Sequence, residues 1–570
     1  MVVLTAINAK YIHSNLAVYD LKAYTEQKMD RDIQIAEYTI NQSLEDILGS
    51  LYERKPDIIA FSCYIWNIQY ICRLAKELKK VLPEVQIWAG GPEVSFHPEM
   101  FLKANPCFDL LMLGEGEKTF YRLLRGDAYD KIPGLAYWKN QEVCVQPPTE
   151  LVDLNEIPFV YKDMEQFEHR IVYYESSRGC PFRCSYCLSS IDKQVRFRDL
   201  ALVRQELQFF LDQRVPQVKF IDRTFNCNPQ HAMAIWQYIL EHDNGVTNFH
   251  FEISADLLTE DEMTLLKQMR KGLVQFEIGL QTTNSHTVDA IERRMNIDKI
   301  KENMEKVRRF GNIHQHLDLI AGLPFEDIQS FRQSFDEAYH MGAEQLQLGF
   351  LKVLKGSKME ERAAEYGLRY MEEPPYEVLA TNWLSYGDIR VLKRVEEMLE
   401  VYHNSGQFTY TLEYLMNFQN SAFDFFLQLG EYYRQMGYEG LQWKRLDRYT
   451  ILRNFVHDTY SEENGWEEST LDRLLLHDLY LRENLKKRPE WAKDYNDLKK
   501  DMARFFRNSG NGGKRMHLEP WQEKTQTGYM LYDYEKKHAF DSCAATRFIT
   551  EEEFQRDAKG TSNQNCRDSE

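Results

Sequence analysis

Long apolar runs are missing from these 570 residues. The most apolar stretches, such as DIIAFSCYIW at 57–66, are strand-sized and fall short of the roughly 18 residues that a membrane helix needs. No membrane partner is therefore expected. The N-terminal residues MVVLTAINAKY lack the basic region, apolar stretch and cleavage site of a secretory signal, so a cytoplasmic location is expected. An excess of cations is missing too: 70 Lys and Arg face 88 Asp and Glu, a formal net charge of −18. That balance argues against a nucleic-acid partner, because phosphate neutralisation needs clustered Lys and Arg. A disulfide framework is also missing. The ten cysteines are scattered except for three within one stretch of eight residues, and nothing supplies a secreted context. What is present is the 43% apolar and 13% aromatic share of a globular chain.

At about 150 residues per domain the length allows three or four domains. Residues 1–127 alternate apolar strand runs (2–8, 33–40, 56–64, 85–91, 108–114) with helix patterns such as NIQYICRLAKELKKVL at 67–82. Five such βα units predict a doubly wound parallel sheet, Rossmann- or flavodoxin-like, over 1–130. Ligands of such sheets bind at the strands' carboxyl ends. Gly90 and Gly91 follow the fourth strand there, and Gly114, Glu115 and Gly116 follow the fifth. Any one of these alone is a plain strand-to-helix turn. Residues 131–168 read as a hairpin and a Pro-containing linker. Six further strand-and-helix units over 169–358 predict a partial (β/α)6 barrel, since a full eight-unit barrel takes about 250 residues. Residues 359–555 are expected to be mainly α-helical, and 556–570 a disordered tail.

SRGCPFRCSYC places Cys180, Cys184 and Cys187 in a C-x-x-x-C-x-x-C array after the first barrel strand. Thiolates are soft ligands for zinc or iron–sulfur centres. A structural zinc site wants four ligands; only three are local, and His169 lies outside the loop. Three thiolates fit a 4Fe–4S cluster with one iron left open.

This array, with Tyr186 before its last cysteine, resembles the radical S-adenosylmethionine enzymes. The resemblance implies that the open iron is chelated by the methionine moiety and that one electron yields a 5′-deoxyadenosyl radical. FEIGLQT and DLIAGLPFE are similar to the family's later strands. They imply ribose contacts for Gln281 and Asp318, a cofactor contact for Glu252, and a methionine-carboxylate partner in Arg293, 12 residues after Gln281. Many relatives carry Gly-Gly-Glu where this chain has Asp222-Arg223-Thr224, which puts the methionine-amino contact in doubt. Read without the family, Glu252 and Asp318 are strand-end carboxylates and Arg293 is a solvated helix residue.

A doubly wound domain just before such a barrel resembles the cobalamin-binding branch of the family. The glycine turns imply a flat floor for a corrin ring. The D-x-H-x-x-G motif is absent: His13 lies in Tyr11-Ile12-His13-Ser14-Asn15-Leu16, so it is not assigned as the axial ligand. Cys63, Cys72 and Cys107 read as small buried groups, not as the second cluster of methylthiotransferases. The last third resembles the domain of unknown function that ends one subgroup of cobalamin-type radical proteins. Together these imply a radical S-adenosylmethionine methyltransferase using a 4Fe–4S cluster and cobalamin on an unactivated carbon or phosphorus centre. A radical cyclase or rearrangement enzyme, an RNA methylthiotransferase and a non-catalytic iron–sulfur or cobalamin sensor are the competing readings. The expected partners are a small-molecule or peptide substrate and a flavodoxin or ferredoxin electron donor, and the expected setting is anaerobic.

Overall fold

The computed structural model describes residues 1–192, 194–461, 465–508, 515–523, 526–537 and 543–559. Cys566 and residues 560–570 of the expected tail lie outside the described residues. Two compact units form. One holds Met1–Ala343 and Leu348–Ile389; the other holds Glu344–Gln347 and the chain from Arg390 onward.

The first unit contains two large sheets. In the first, β1 (Val2–Asn8), β2 (Ile33–Thr39), β3 (Ile58–Ser62), β4 (Gln86–Gly90) and β5 (Leu110–Met112) run parallel in the order β2-β1-β3-β4-β5. The strands are buried on both faces, as a doubly wound sheet requires. On β1, Val3 and Ile7 pack with Leu51, Leu74 and Leu78 of two helices. Val2, Leu4 and Ala6 pack on the other face with Val18, Phe120 and Leu123. The hairpin β6 (Leu135–Lys139) and β7 (Glu142–Gln146) does not stand apart from this sheet. It extends the edge antiparallel to β5, because Leu135, Ala136 and Tyr137 are apolar enough to be buried there.

The second sheet takes β8 (Val172–Tyr174), β11 (Gln217–Phe220), β12 (Asn248–Ile253), β13 (Val274–Gln281), β14 (His314–Ala321) and β15 (Gln345–Phe350) in sequential order. Its recorded pairings are parallel, the geometry of an open half-barrel. A small hairpin, β9 (Ser177–Arg178) with β10 (Arg196–Phe197), frames the cysteine loop. A second, β16 (Arg369–Tyr370) with β17 (Val378–Ala380), follows the barrel. The region expected to be mainly helical from residue 359 thus includes this hairpin, and its first long helix starts at Tyr386.

The other unit is helical with one sheet. Helices Thr409–Met416, Ala422–Gln435, Arg445–Thr459 and Glu468–Arg482 precede a three-stranded antiparallel sheet of β18 (Met516–Gln522), β19 (Thr527–Lys537) and β20 (Ala544–Thr550). Its last helix runs Glu551–Lys559, so residues 556–559 are helical where the sequence reading began a disordered tail.

Candidate functional site

The carboxyl ends of the first sheet open onto a cavity of about 740 Å³, within the about 300–1,000 Å³ typical of small-molecule sites. Gly90, Gly91, Gly114, Glu115 and Gly116 line it, as do Arg223 and Glu252 of the half-barrel. Leu188 and Ser189, directly after Cys187, line it too. Gly91 sits at φ +107°, and a Cβ there would lie 2.5 Å from the carbonyl oxygen of Cys63. Only glycine fits that turn. His13 also lines the cavity, but its Nδ1 lies 2.6 Å from the Tyr173 hydroxyl on β8, and burial lowers its pKa.

The cysteine loop hangs from a buried anchor. Ser176 and Ser177 each donate a hydroxyl hydrogen bond of 2.6 Å to Asp222, whose Oδ2 also accepts from the Ser176 backbone N–H. Burial pushes the Asp222 carboxyl up to about 7 against these donors. Asp222 thus belongs to the scaffold, and it is the next residues that face the loop. The Thr224 hydroxyl lies 3.6 Å from Cys180 Sγ. Cys180 and Cys184 are buried and Cys187 is half-buried, all as free thiols. Arg293 ties the loop to β13. Its guanidinium donates to Cys184 Sγ at 3.5 Å, to the Tyr186 hydroxyl at 3.2 Å and to the Gly279 carbonyl.

The half-barrel interior is polar at every second residue. Glu277 on β13 takes Lys219 Nζ at 2.9 Å and His250 Nε2 at 3.0 Å. Burial opposes its ionisation, yet the His250 ring and the Lys219 ammonium hold it below the usual carboxylate range. Glu252 has no hydrogen-bond partner among the described residues, and burial pushes it up to about 7 despite Arg223. Gln281 holds a left-handed backbone at φ +73°, and its Oε1 is buried without a partner. Asp318 Oδ1 and His316 Nε2 approach to 3.1 Å but lack hydrogen-bond alignment. Burial raises Asp318 against the pull of His316. Burial disfavours the His316 imidazolium, but Asp318 outweighs it and raises that pKa.

Two arginines of the β9–β10 hairpin bridge the sheets. Arg178 pairs with Glu117 at 2.9 Å and Glu175 at 2.7 Å. Arg196 pairs with Glu115, whose carboxylate also accepts from the Val152 N–H at 2.8 Å. Glu115 is therefore engaged with protein although it lines the cavity. Sequence reading missed this brace and the Ser176–Asp222 anchor, since nothing in local spacing links residues 45 to 81 apart.

The B12 binding domain family matches residues 2–124, the radical SAM superfamily 174–338, and a protein family of unknown function, DUF4080, 364–548. The chain carries a B12-binding domain followed by a radical SAM domain. It is 28% identical over 355 residues to the cobalamin-dependent radical SAM methyltransferase TokK of Streptomyces tokunonensis, covering 56% of this chain and 51% of that protein. It is also 28% identical over 354 residues to the 2-(S-pantetheinyl)-carbapenam-3-carboxylate methyltransferase of Streptantibioticus cattleyicolor, covering 56% and 51%. The chain thus spans about half the length of these relatives. The fold is shared with OxsB, a cobalamin-dependent S-adenosylmethionine radical enzyme solved with aqua-cobalamin and S-adenosylmethionine. The TM-score is 0.60 at 14% identity, over 84% of this chain and 83% of that one.

The radical SAM domain's own residues fit its cofactors. The orphaned acceptors Gln281 Oε1 and Asp318 Oδ1 suit ribose hydroxyl donors. Three free thiols on one loop suit a cubane, which takes each thiolate at its own iron. Among the described residues no three His, Cys, Asp or Glu side chains converge on a single ion position. Gln281 and Asp318 do not line the cavity, whereas Glu252 does. Arg293 is engaged through all three of its nitrogens, Nη1 with Cys184 and Tyr186, Nη2 with Gly279 and Nε with Met295 Sδ at 3.4 Å. In the B12-binding domain the bare glycine turns suit a flat ring. Cys63, Cys72 and Cys107 have thiols raised mainly by burial, as small buried groups do.

Proposed function

We propose that this chain is a cobalamin-dependent radical S-adenosylmethionine methyltransferase acting on an unactivated carbon or phosphorus centre. One observation carries the reading. The glycine turns of the B12-binding domain, the residues after Cys187, and Glu252 of the half-barrel all line one cavity, so both cofactors would face a common chamber. When bound, the cluster and S-adenosylmethionine would supply a hydrogen-abstracting radical and the corrin a transferable methyl group. The protein's part is placement. Cys180, Cys184 and Cys187 would hold the cluster, with Arg293 and Tyr186 fixing the loop. Gln281 and Asp318 would take the ribose hydroxyls, and Glu252, its carboxyl lifted to about 7, would donate a hydrogen bond into the chamber when protonated and accept one when ionised. Gly90, Gly91, Gly114 and Gly116 would leave the strand ends open to the ring. His13, spent on Tyr173, is not given to cobalt.

No helix among the described residues is long and apolar enough to cross a membrane. We place the reaction in the cytoplasm with a flavodoxin- or ferredoxin-type electron donor. The test is anaerobic. The cluster is reconstituted, hydroxocobalamin is added, the excess is removed, and bound cobalt and the Co(II) electron paramagnetic resonance spectrum are recorded. Stoichiometric cobalamin without nitrogen hyperfine splitting from a lower ligand is expected. A complete cluster with no retained cobalamin would remove the methyltransferase reading.

A further inference from the structure

Three basic side chains line the cavity: Arg178, Lys219 and Arg223. Two are neutralised. Arg178 is held by Glu117 and Glu175, and Lys219 by Glu277. Arg223 has no hydrogen bond or ion pair from its side chain among the described residues, and it is exposed to the cavity. Its place is fixed nonetheless. The preceding residue, Asp222, is anchored by Ser176 and Ser177, and the following Thr224 lies against Cys180. Glu252 feels its charge without coming within ion-pair distance. A guanidinium held open in this way is a two-pronged donor for a carboxylate or a phosphate.

The rest of the wall sharpens the point. Asp20, Glu115, Glu117, Glu175 and Glu252 are its acidic neighbours. Burial raises Asp20 well above its ordinary value, and Glu117 and Glu175 add to that. Glu115, Glu117 and Glu175 already meet Arg178 or Arg196, so among the described residues Arg223 is the lining arginine left open to an anionic group, and that fixes which end of a ligand goes where. Arg293 does not line this cavity. We propose that Arg223 receives an oxyanion of the substrate, and hence that the substrate is an acid bearing a carboxylate or phosphate-type group. The proposal rests on the reading that this cavity is the reaction chamber.

The oxyanion has a second source in the carboxylate of S-adenosylmethionine, and the test separates the two. Full-length protein reconstituted with cluster and cobalamin is prepared as wild type, Arg223→Gln and Arg223→Lys. Phenylphosphonate, benzoate and uncharged benzamide are titrated and followed by saturation-transfer NMR. S-adenosylmethionine affinity is measured by equilibrium dialysis. The expected result is that both acids bind wild type, bind Arg223→Gln at least tenfold more weakly, and bind Arg223→Lys with intermediate strength. Benzamide should not distinguish the variants, and S-adenosylmethionine affinity should move less than threefold. Equal binding of the acids to wild type and Arg223→Gln, or no binding to wild type, overturns the proposal. A tenfold loss of S-adenosylmethionine in Arg223→Gln, with or without loss of the acids, also overturns it by giving the guanidinium to the cofactor. If wild type retains neither cluster nor cobalamin, the chamber reading fails on its own, while the acid titrations still report on Arg223.

Discussion

Replacing Gly91 by Ala should damage the B12-binding domain, whereas the same change at its neighbour Gly90 should not. Gly91 stands at φ +107° and ψ 174°, a region that only glycine occupies freely. A side chain there costs about 1–3 kcal/mol in backbone strain. The new Cβ would also sit 2.5 Å from the Cys63 carbonyl oxygen. That oxygen is backbone and cannot swing aside, so β3 or the turn must shift, adding about 1–3 kcal/mol. A total near 3 kcal/mol would lower the transition of a domain this size by about 6–12 °C. At Gly90 the added Cβ meets the Met112 side chain at an ordinary 3.5 Å, and φ is not positive. Gly90→Ala should be neutral or stabilise by up to about 1 kcal/mol. The assay is differential scanning calorimetry of both variants, paired with cobalamin retained after desalting. If Gly91→Ala melts within 2 °C of wild type (a threshold set roughly by the 2–4 °C that 1 kcal/mol is worth) and keeps its cobalamin, the account of this turn is wrong. An equal loss of thermal stability in both variants would be just as fatal.

Arg293→Lys should lower the iron and sulfide content per chain. Lysine cannot serve Cys184, Tyr186 and Gly279 at once, and each lost charge-assisted hydrogen bond is worth about 1.5–3 kcal/mol. Full cluster loading in that variant would show that the loop needs no brace. Glu326 predicts a pH effect. Burial lifts its carboxyl from 4.5 to about 7, against hydroxyl donors Thr282 and Ser334. The folded state then holds a proton that the unfolded chain releases. This group's stabilisation is complete below pH 4.5 and is lost as pH rises through 7, by about 3 kcal/mol in all. Urea midpoints at acidic and alkaline pH should therefore fall further in wild type than in Glu326→Gln. Parallel profiles would refute the assignment.

Much of this was readable from local pattern. The apolar runs of β1, β3 and β4 stand within a few residues of where periodicity put them, and the cysteine array needed only its spacing. The helix Ile68–Val81 followed from its apolar stripe. What escaped was long-range pairing. Asp222 was weighed as a missing cofactor contact, and its real partners, Ser176 and Ser177, lie more than forty residues away. The contacts of Arg293 with Cys184, Tyr186 and Gly279 escaped too, since a separation in sequence says nothing about which acceptors a fork will find. One signal was present and unused. Strands of a parallel sheet are ordinarily apolar on both faces, yet β12, β13 and β14 carry His250 and Glu252, Gln275 and Glu277, His316 and Asp318 at period two. That alternation marks the inner face of the half-barrel as a site rather than a core.

The brace on the β9–β10 hairpin bears on exchange and division of the chain. By sequence family the first 124 residues and residues 174–338 are separate modules. Physically they are not separable. Arg178 and Arg196 reach out of one module for Glu117 and Glu115 of the other, at side-chain exposures of 21% and 14% for the two arginines. A graft of a foreign corrin module lacking these two carboxylates would leave Arg178 with Glu175 and Arg196 with Asp192, and would lose the ion pairs that join the modules. A chimera of this chain that keeps Glu115 and Glu117 should therefore hold its two modules together better than one that does not.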